Sequence, residues 1–143
     1  MKLEKHHQGT TGFTLIEMLA AIVVAGILVA IAVPRFYALL PGIRVASAAR
    51  QVATDLQLAR MRAIAQRTPQ TVAFDTATAT YTFGADTRNL SVLYPGTTIK
   101  SLSAGAPTFT TVGGANATDI TLSNNGVPDR VIRVNAAGRI FTQ

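Results

Sequence analysis

Glu17 is the residue whose placement most needs a chemical explanation. With Thr14 it is the clearly polar member of an apolar run from Phe13 to Val33. At about 1.5 Å per residue that run, as a helix, spans roughly 31 Å, close to the hydrocarbon thickness of a bilayer. A carboxylate inside such a span is costly unless it has a partner. The chain can make one: hydrolysis of the Gly12–Phe13 bond would leave an α-ammonium four residues before Glu17. That is about one helical turn away, and the same group on a neighbouring copy could also pair with the carboxylate.

The other reactive side chains do not form a catalytic set. Both histidines, His6 and His7, precede Gly12 and would leave with the cleaved segment, which removes Ser-His-Asp and histidine–metal chemistry from the mature chain. Cysteine is absent, which excludes disulfides, thiolate metal sites and a thiol nucleophile. Asp75, Asp86, Asp119 and Asp129 are scattered near expected turns, where aspartate ordinarily bonds its own backbone. No Gly-rich phosphate motif occurs. The chain is therefore expected to be no enzyme, to hold no metal and to need no cofactor. Asn89-Leu90-Ser91 and Asn116-Ala117-Thr118 fit a glycosylation pattern short enough to recur by chance, and no role is assigned to them.

Thirteen Lys and Arg against seven Asp and Glu give a net charge of +6, which favours anionic partners such as nucleic acid or lipid head groups. Arg130, Arg133 and Arg139 fall in the last expected hairpin and, with Lys100 or Arg88, could contact phosphates. Against a single patch, Arg130 and Arg133 are three apart, so the two-residue period of a strand sends them to opposite faces.

The elements that must position these residues follow from patterning. The 48% hydrophobic and 14% charged composition excludes a disordered polymer and suits one compact domain behind the apolar run. Lys2 and Lys5 should keep the N-terminus cytoplasmic. An ordinary signal peptide cut after Ala32 is opposed by the length of the run, by Pro34 and by Glu17; a plain signal anchor leaves Glu17 unexplained. Pro34 predicts a kink or brief melting, and Pro41-Gly42 a second soft point. Val45, Ala49, Val52, Leu56, Ala59 and Ala63 then form a stripe at helical spacing, with Arg44, Arg50, Gln51, Asp55 and Arg62 largely off it, predicting an amphipathic helix to about Arg67.

After Thr68-Pro69 the pattern alternates. Strands are expected at 70–74, 78–83, 91–93, 97–102, 108–112, 119–122, 130–134 and 139–142, with hairpin turns at Asn124-Asn125-Gly126 and Asn135-Ala136-Ala137-Gly138. The fold class is α+β, a long N-terminal helix packed on a C-terminal antiparallel sheet. The organisation reads as 1–12 leader, 13–34 membrane segment, 35–67 amphipathic helix and 68–143 β-rich head.

The run Gly12-Phe13-Thr14-Leu15-Ile16-Glu17-Met18-Leu19 resembles the prepilin signature of type IV pilins and secretion pseudopilins. The head is similar to the branch holding the H-type pseudopilin and FimT-like minor pilins, through Leu58 to Ala65, Val72-Ala73-Phe74-Asp75, Leu122 to Pro128 and Val131 to Ile140. This resemblance implies cleavage after Gly12 by a prepilin peptidase, N-methylation of Phe13, a bend at Pro34, and assembly through Glu17 against a neighbour's Phe13. It further implies a single pass through the bacterial inner membrane, a periplasmic head, and contacts with other pilin or pseudopilin subunits, membrane lipid and an assembly platform. The role it implies is a minor pseudopilin of a type II secretion filament, in initiation or at the tip. The alternative is a FimT-like minor pilin that binds DNA for uptake.

Two departures bear on that choice. Without cysteine the chain lacks the disulfide common in major pilins, and without clustered acidic residues it lacks the calcium loop expected of the major pseudopilin. The Gly-Arg-x-Arg ending of DNA-binding relatives survives only as Gly138-Arg139, because Phe141 stands where an arginine would be required.

Overall fold

The computed structural model describes residues 13–143. The expected leader, with His6, His7 and Gly12, lies outside the described residues. Two compact units are present, one ending at Ala38 and the other comprising Leu39–Gln143.

Helix α1 (Leu15–Gln66) belongs to both. Within the first unit every described residue is exposed, and the helix is long and apolar enough to cross a membrane. Pro34 and Pro41 are both helical residues, so the chain does not melt at Pro34. Pro34 still lacks the N–H that would donate to Ala30, which leaves a local weak point in the ladder.

In the second unit, α1 buries Val45, Ala48, Ala49, Val52, Leu56, Ala59 and Ala63, one stripe at steps of three and four. The alanines keep this face shallow, so sheet side chains can approach the helix backbone. Eight strands follow: β1 (Gln70–Asp75), β2 (Thr80–Phe83), β3 (Asp86–Asn89), β4 (Thr97–Leu102), β5 (Thr108–Phe109), β6 (Thr118–Asn124), β7 (Arg130–Val134) and β8 (Ile140–Thr142). They form two antiparallel four-stranded sheets, ordered β3-β2-β1-β5 and β4-β6-β7-β8. Val72, Tyr81, Phe83 and Phe109 from the first sheet and Ile99, Ile120, Leu122, Ile132 and Val134 from the second join the helix stripe in one core.

Two expectations are corrected. Residues 91–93 are no strand but part of the short helix α2 (Leu90–Leu93), because Asn89 accepts the Val92 N–H (3.1 Å) and the Ser91 hydroxyl (2.6 Å) and so caps a helical turn. The strand lies just before it: β3, polar throughout, pairs with β2 across a two-residue loop whose Gly84 has φ 62°. An edge strand of Asp, Thr, Arg and Asn carries no apolar alternation to reveal it. The second strand also starts later than expected. Asp75 accepts the Ala77 N–H and the Thr78 hydroxyl, holding 76–79 as a turn.

Candidate functional site

Thr14 and Glu17 close the start of α1 reciprocally. The Glu17 N–H donates to Thr14 Oγ1 (3.3 Å), while the Thr14 N–H and hydroxyl both donate to Glu17 Oε2, at 2.9 and 3.0 Å. This is a capping box, and it satisfies donors that a helix start otherwise leaves bare. The carboxylate thus has an intrachain task that the reading of Glu17 as an assembly residue missed; the Thr-x-x-Glu spacing was the available signal. Among the described hydrogen bonds Oε1 has no partner, so the side chain can cap its own helix and still accept from a cation outside the chain. Phe13 stands exposed immediately before the cap. The apolar side chains that follow, Leu19, Ile22, Val29 and Ile31 among them, are all exposed. A surface this apolar and continuous requires a bilayer or other helices to cover it.

The basic residues singled out from the sequence do not form one patch. Arg133 is held by Asp119 in a bidentate pair, both contacts at 2.9 Å, and Lys100 by Asp129 at 2.6 Å. The guanidinium beside it holds the Asp119 carboxyl below its usual range, and the Lys100 ammonium does the same for Asp129. Within β7, Ile132 and Val134 are buried while Arg133 is exposed on the opposite face. Arg130 shares the parity of the buried pair but lies at the strand end, in the open. Arg139 sits beyond the Asn135–Gly138 turn, where its N–H donates to Asn135 Oδ1 (2.9 Å). The strand period therefore separates Arg130 from Arg133, and Arg133, Lys100 and Arg88 each already face a carboxylate.

The most heavily engaged polar residue is one the sequence reading placed off the helix stripe. Asp55 is buried. It accepts the Tyr81 hydroxyl at 2.5 Å and both oxygens receive the Gln51 amide at 3.2 Å. Arg88 Nε stands 2.9 Å from Oδ2 without its N–H aimed for a well-formed hydrogen bond, so this contact is an ion pair only. Burial first, and then the hydrogen bond to Asp55, push the Tyr81 phenol far above its usual range. The signal lay in spacing: Asp55 is three residues after Val52 and four before Ala59, both on the buried stripe. Arg88 and Arg62 also stack over the Phe83 ring, at 5.9 and 5.2 Å from its centroid, and Arg62 pairs with Asp86 at 3.4 Å.

Arg60, also unremarked in the sequence, ties two loops to the helix. Its Nε donates to the Gly113 carbonyl (2.8 Å) and Nη2 to the Ala137 carbonyl (3.5 Å). Gly138 lies against that same Gly113 carbonyl with φ 70°, so Gly138-Arg139 marks a close backbone approach. Among the described residues no cluster of His, Asp or Glu is disposed to hold a metal ion.

Comparison with known proteins places this arrangement. The family described as type II transport protein GspH matches residues 48–138, and the prokaryotic N-terminal methylation motif matches residues 9–33. No curated protein matches the chain in sequence. Among solved structures, the type IV minor pilin FimU of Pseudomonas aeruginosa is similar at 21% identity, with TM-score 0.58 over 69% of this chain and 87% of that one. The minor pseudopilin EpsH from the type 2 secretion system of Vibrio cholerae is similar at 15% identity, with TM-score 0.59 over 70% of this chain and 96% of that one.

Proposed function

Because the chain belongs to the type II transport protein GspH family and is a minor pilin or pseudopilin, we propose that it is cut between Gly12 and Phe13 and methylated on the new Phe13 amine. The span 13–33 then holds it in the bacterial inner membrane, with residues 68–143 as a periplasmic head. The observation that carries this reading is the exposed apolar helix start whose one carboxylate, Glu17, keeps Oε1 free of described partners. In a filament the neighbour's Phe13 ammonium approaches that oxygen, while apolar faces of adjacent helices cover one another in place of lipid. Charge pairing and burial are then both satisfied by assembly, and no reaction is needed from this subunit. Prepilin peptidase, other subunits, membrane lipid and an assembly platform are its partners, and its place is in a type II secretion filament, at initiation or at the tip.

Intact mass of the full chain made with and without a prepilin peptidase tests this. Loss of residues 1–12 plus one methyl group, only with the peptidase, is expected. An uncut chain, or one cut after Ala32, overturns the reading.

A DNA-binding minor pilin is the second reading, supported by Arg130 and Arg139, which have no acidic partner among the described residues. The pairing of Arg133 and Lys100 with aspartates counts against it, since an engaged cation releases fewer counterions on meeting a phosphate.

A further inference from the structure

Between Glu17 and Arg44 the chain holds one charged residue, Arg35. It stands just past the apolar run, exposed on α1, and has no acidic partner among the described residues. The residues one turn away, Ile31, Ala32, Ala38 and Leu39, are all apolar and offer it none. The next two residues are aromatic and equally bare, Phe36 being 61% and Tyr37 66% exposed. A lone cation and two uncovered rings thus follow one another where the span ends.

Their order along the helix says what can cover them. Successive residues of an α-helix are about 100° apart around its axis, so Arg35, Phe36 and Tyr37 point in three directions spread over more than half the circumference. A partner helix packs on one stripe of residues three and four apart and would meet one or two of them. A layer that surrounds the helix meets all three. Phe36 and Tyr37 also line an open apolar notch with Ala32 and Val33, one turn back, so both rings lean toward the apolar run, as helical side chains do.

We propose that Arg35, Phe36 and Tyr37 form a collar in the outer headgroup layer of the membrane, with the rings at the boundary of the acyl chains and Arg35 on the phosphate of an anionic phospholipid. The inference rests on the reading of 13–33 as a membrane span. From Glu17 to Arg35 the helix rises about 27 Å, against a hydrocarbon core of about 30 Å, so the two charges stand at opposite faces of that core. At such a boundary the phenol and the guanidinium reach the headgroups, while the ring faces and the arginine stem stay among apolar groups. Nucleic acid is a poor occupant, because a single cation among apolar neighbours offers one phosphate contact. The collar sets the depth of the span and thereby holds the Gly12–Phe13 bond at the opposite surface, within reach of a peptidase.

The chain has no tryptophan, so Tyr37→Trp adds a single fluorescent reporter and keeps an amphipathic ring. With the full-length variant in phosphatidylcholine vesicles, lipids brominated near the ester end of the acyl chain should quench it severalfold more than lipids brominated near the methyl end. Strongest quenching from the methyl end, or none from either, overturns the collar. In vesicles mixing phosphatidylcholine with phosphatidylglycerol, brominated phosphatidylglycerol should quench severalfold more than brominated phosphatidylcholine at the same mole fraction. That excess should be largely lost in Arg35→Gln and restored by Arg35→Lys. An excess unchanged in Arg35→Gln, or not restored by Arg35→Lys, overturns the phosphate contact. Loss of the excess to added inorganic phosphate at constant ionic strength makes the site one for a free anion and overturns its assignment to lipid. Release of the chain from the vesicles by alkaline carbonate would instead mean that the reading of a membrane span had itself failed.

Discussion

The Tyr81 hydroxyl donates to Asp55 Oδ2 across 2.5 Å, joining the middle of strand β2 to the buried face of α1. A buried carboxylate is tolerated only with its lone pairs met, and here the phenol, the Gln51 amide and the Arg88 cation share that task. Phe74 and Phe83 stack on the Tyr81 ring, at 5.4 and 6.3 Å between centroids, so the ring that makes the polar contact is also fixed by packing.

Removing the carboxylate should cost more than removing the phenol's proton donor. Asp55→Ala leaves the Tyr81 hydroxyl and Arg88 without their acceptor and is expected to destabilise the head by about 3 kcal/mol, the low end for breaking a buried pair because Arg88 is partly solvated. Tyr81→Phe loses one charge-assisted hydrogen bond, about 1.5 kcal/mol. Urea unfolding of the full chain in detergent, followed by near-ultraviolet dichroism, gives both values. Equal losses would contradict this ranking.

The same pair sets an alkaline limit. Tyr81 is neutral in the fold, with a phenol held far above its unfolded value of about 10. Its contribution is therefore complete below pH 10 and is lost as the pH rises toward the folded value. Unfolding midpoints should fall above about pH 10, with a shallower slope in Tyr81→Phe. Parallel slopes would count against it.

Gly138 and Gly126 both have positive φ, 70° and 83°, but differ in surroundings. A Cβ on Gly138 would meet the Gly113 carbonyl that Arg60 also binds, whereas one on Gly126 has nothing within 4 Å. Gly126→Ala should cost about 1 kcal/mol of left-handed strain. Gly138→Ala should cost at least about 2 kcal/mol, since the backbone must also move. The same urea series measures both.

What could be read from the sequence follows from where periodicity is strong. Strands β4 and β7, whose buried residues alternate, are found to the residue, and the helix end to within one. Strand β3 was not expected because Asp86–Asn89 presents no apolar face, and 91–93 was expected as a strand because Asn89 acts through a cap, which depends on geometry more than on pattern. The chemistry of the N-terminus was legible because Glu17 stands alone in an apolar run. Asp55 was not, because its burial depends on Tyr81 and Arg88, residues 26 and 33 positions away that only the fold brings together.

Surface pairing sets the acid behaviour of the second sheet. Asp119 and Asp129 are held below their usual range by Arg133 and Lys100. Their contribution is present above the unfolded value of about 3.9 and is lost as the pH falls through the folded values. Stability should be flat above about pH 5 and decline below pH 4, with a smaller decline at high salt, since exposed pairs are screened. Asp119→Asn should flatten part of that decline. It also frees Arg133, so salt-dependent retention on DNA should become steeper if the second reading holds; an unchanged slope would speak for filament assembly alone.

Thr14 and Glu17 allow the cap to be separated from the charge. Thr14→Ala removes the hydroxyl from the capping box but leaves a carboxylate at the fifth residue of the processed chain, so the helix start should fray slightly while a neighbour's Phe13 ammonium still finds its partner. Glu17→Gln keeps an acceptor for the Thr14 N–H but removes the charge. If Glu17 acts mainly in assembly, Glu17→Gln should abolish incorporation into filaments and Thr14→Ala should leave it largely intact; if it is mainly a cap, Glu17→Gln should be the milder change. Cross-linking of adjacent subunits, scored in cells where both variants are cut and methylated normally, separates the outcomes, because a failure of processing would act before either role.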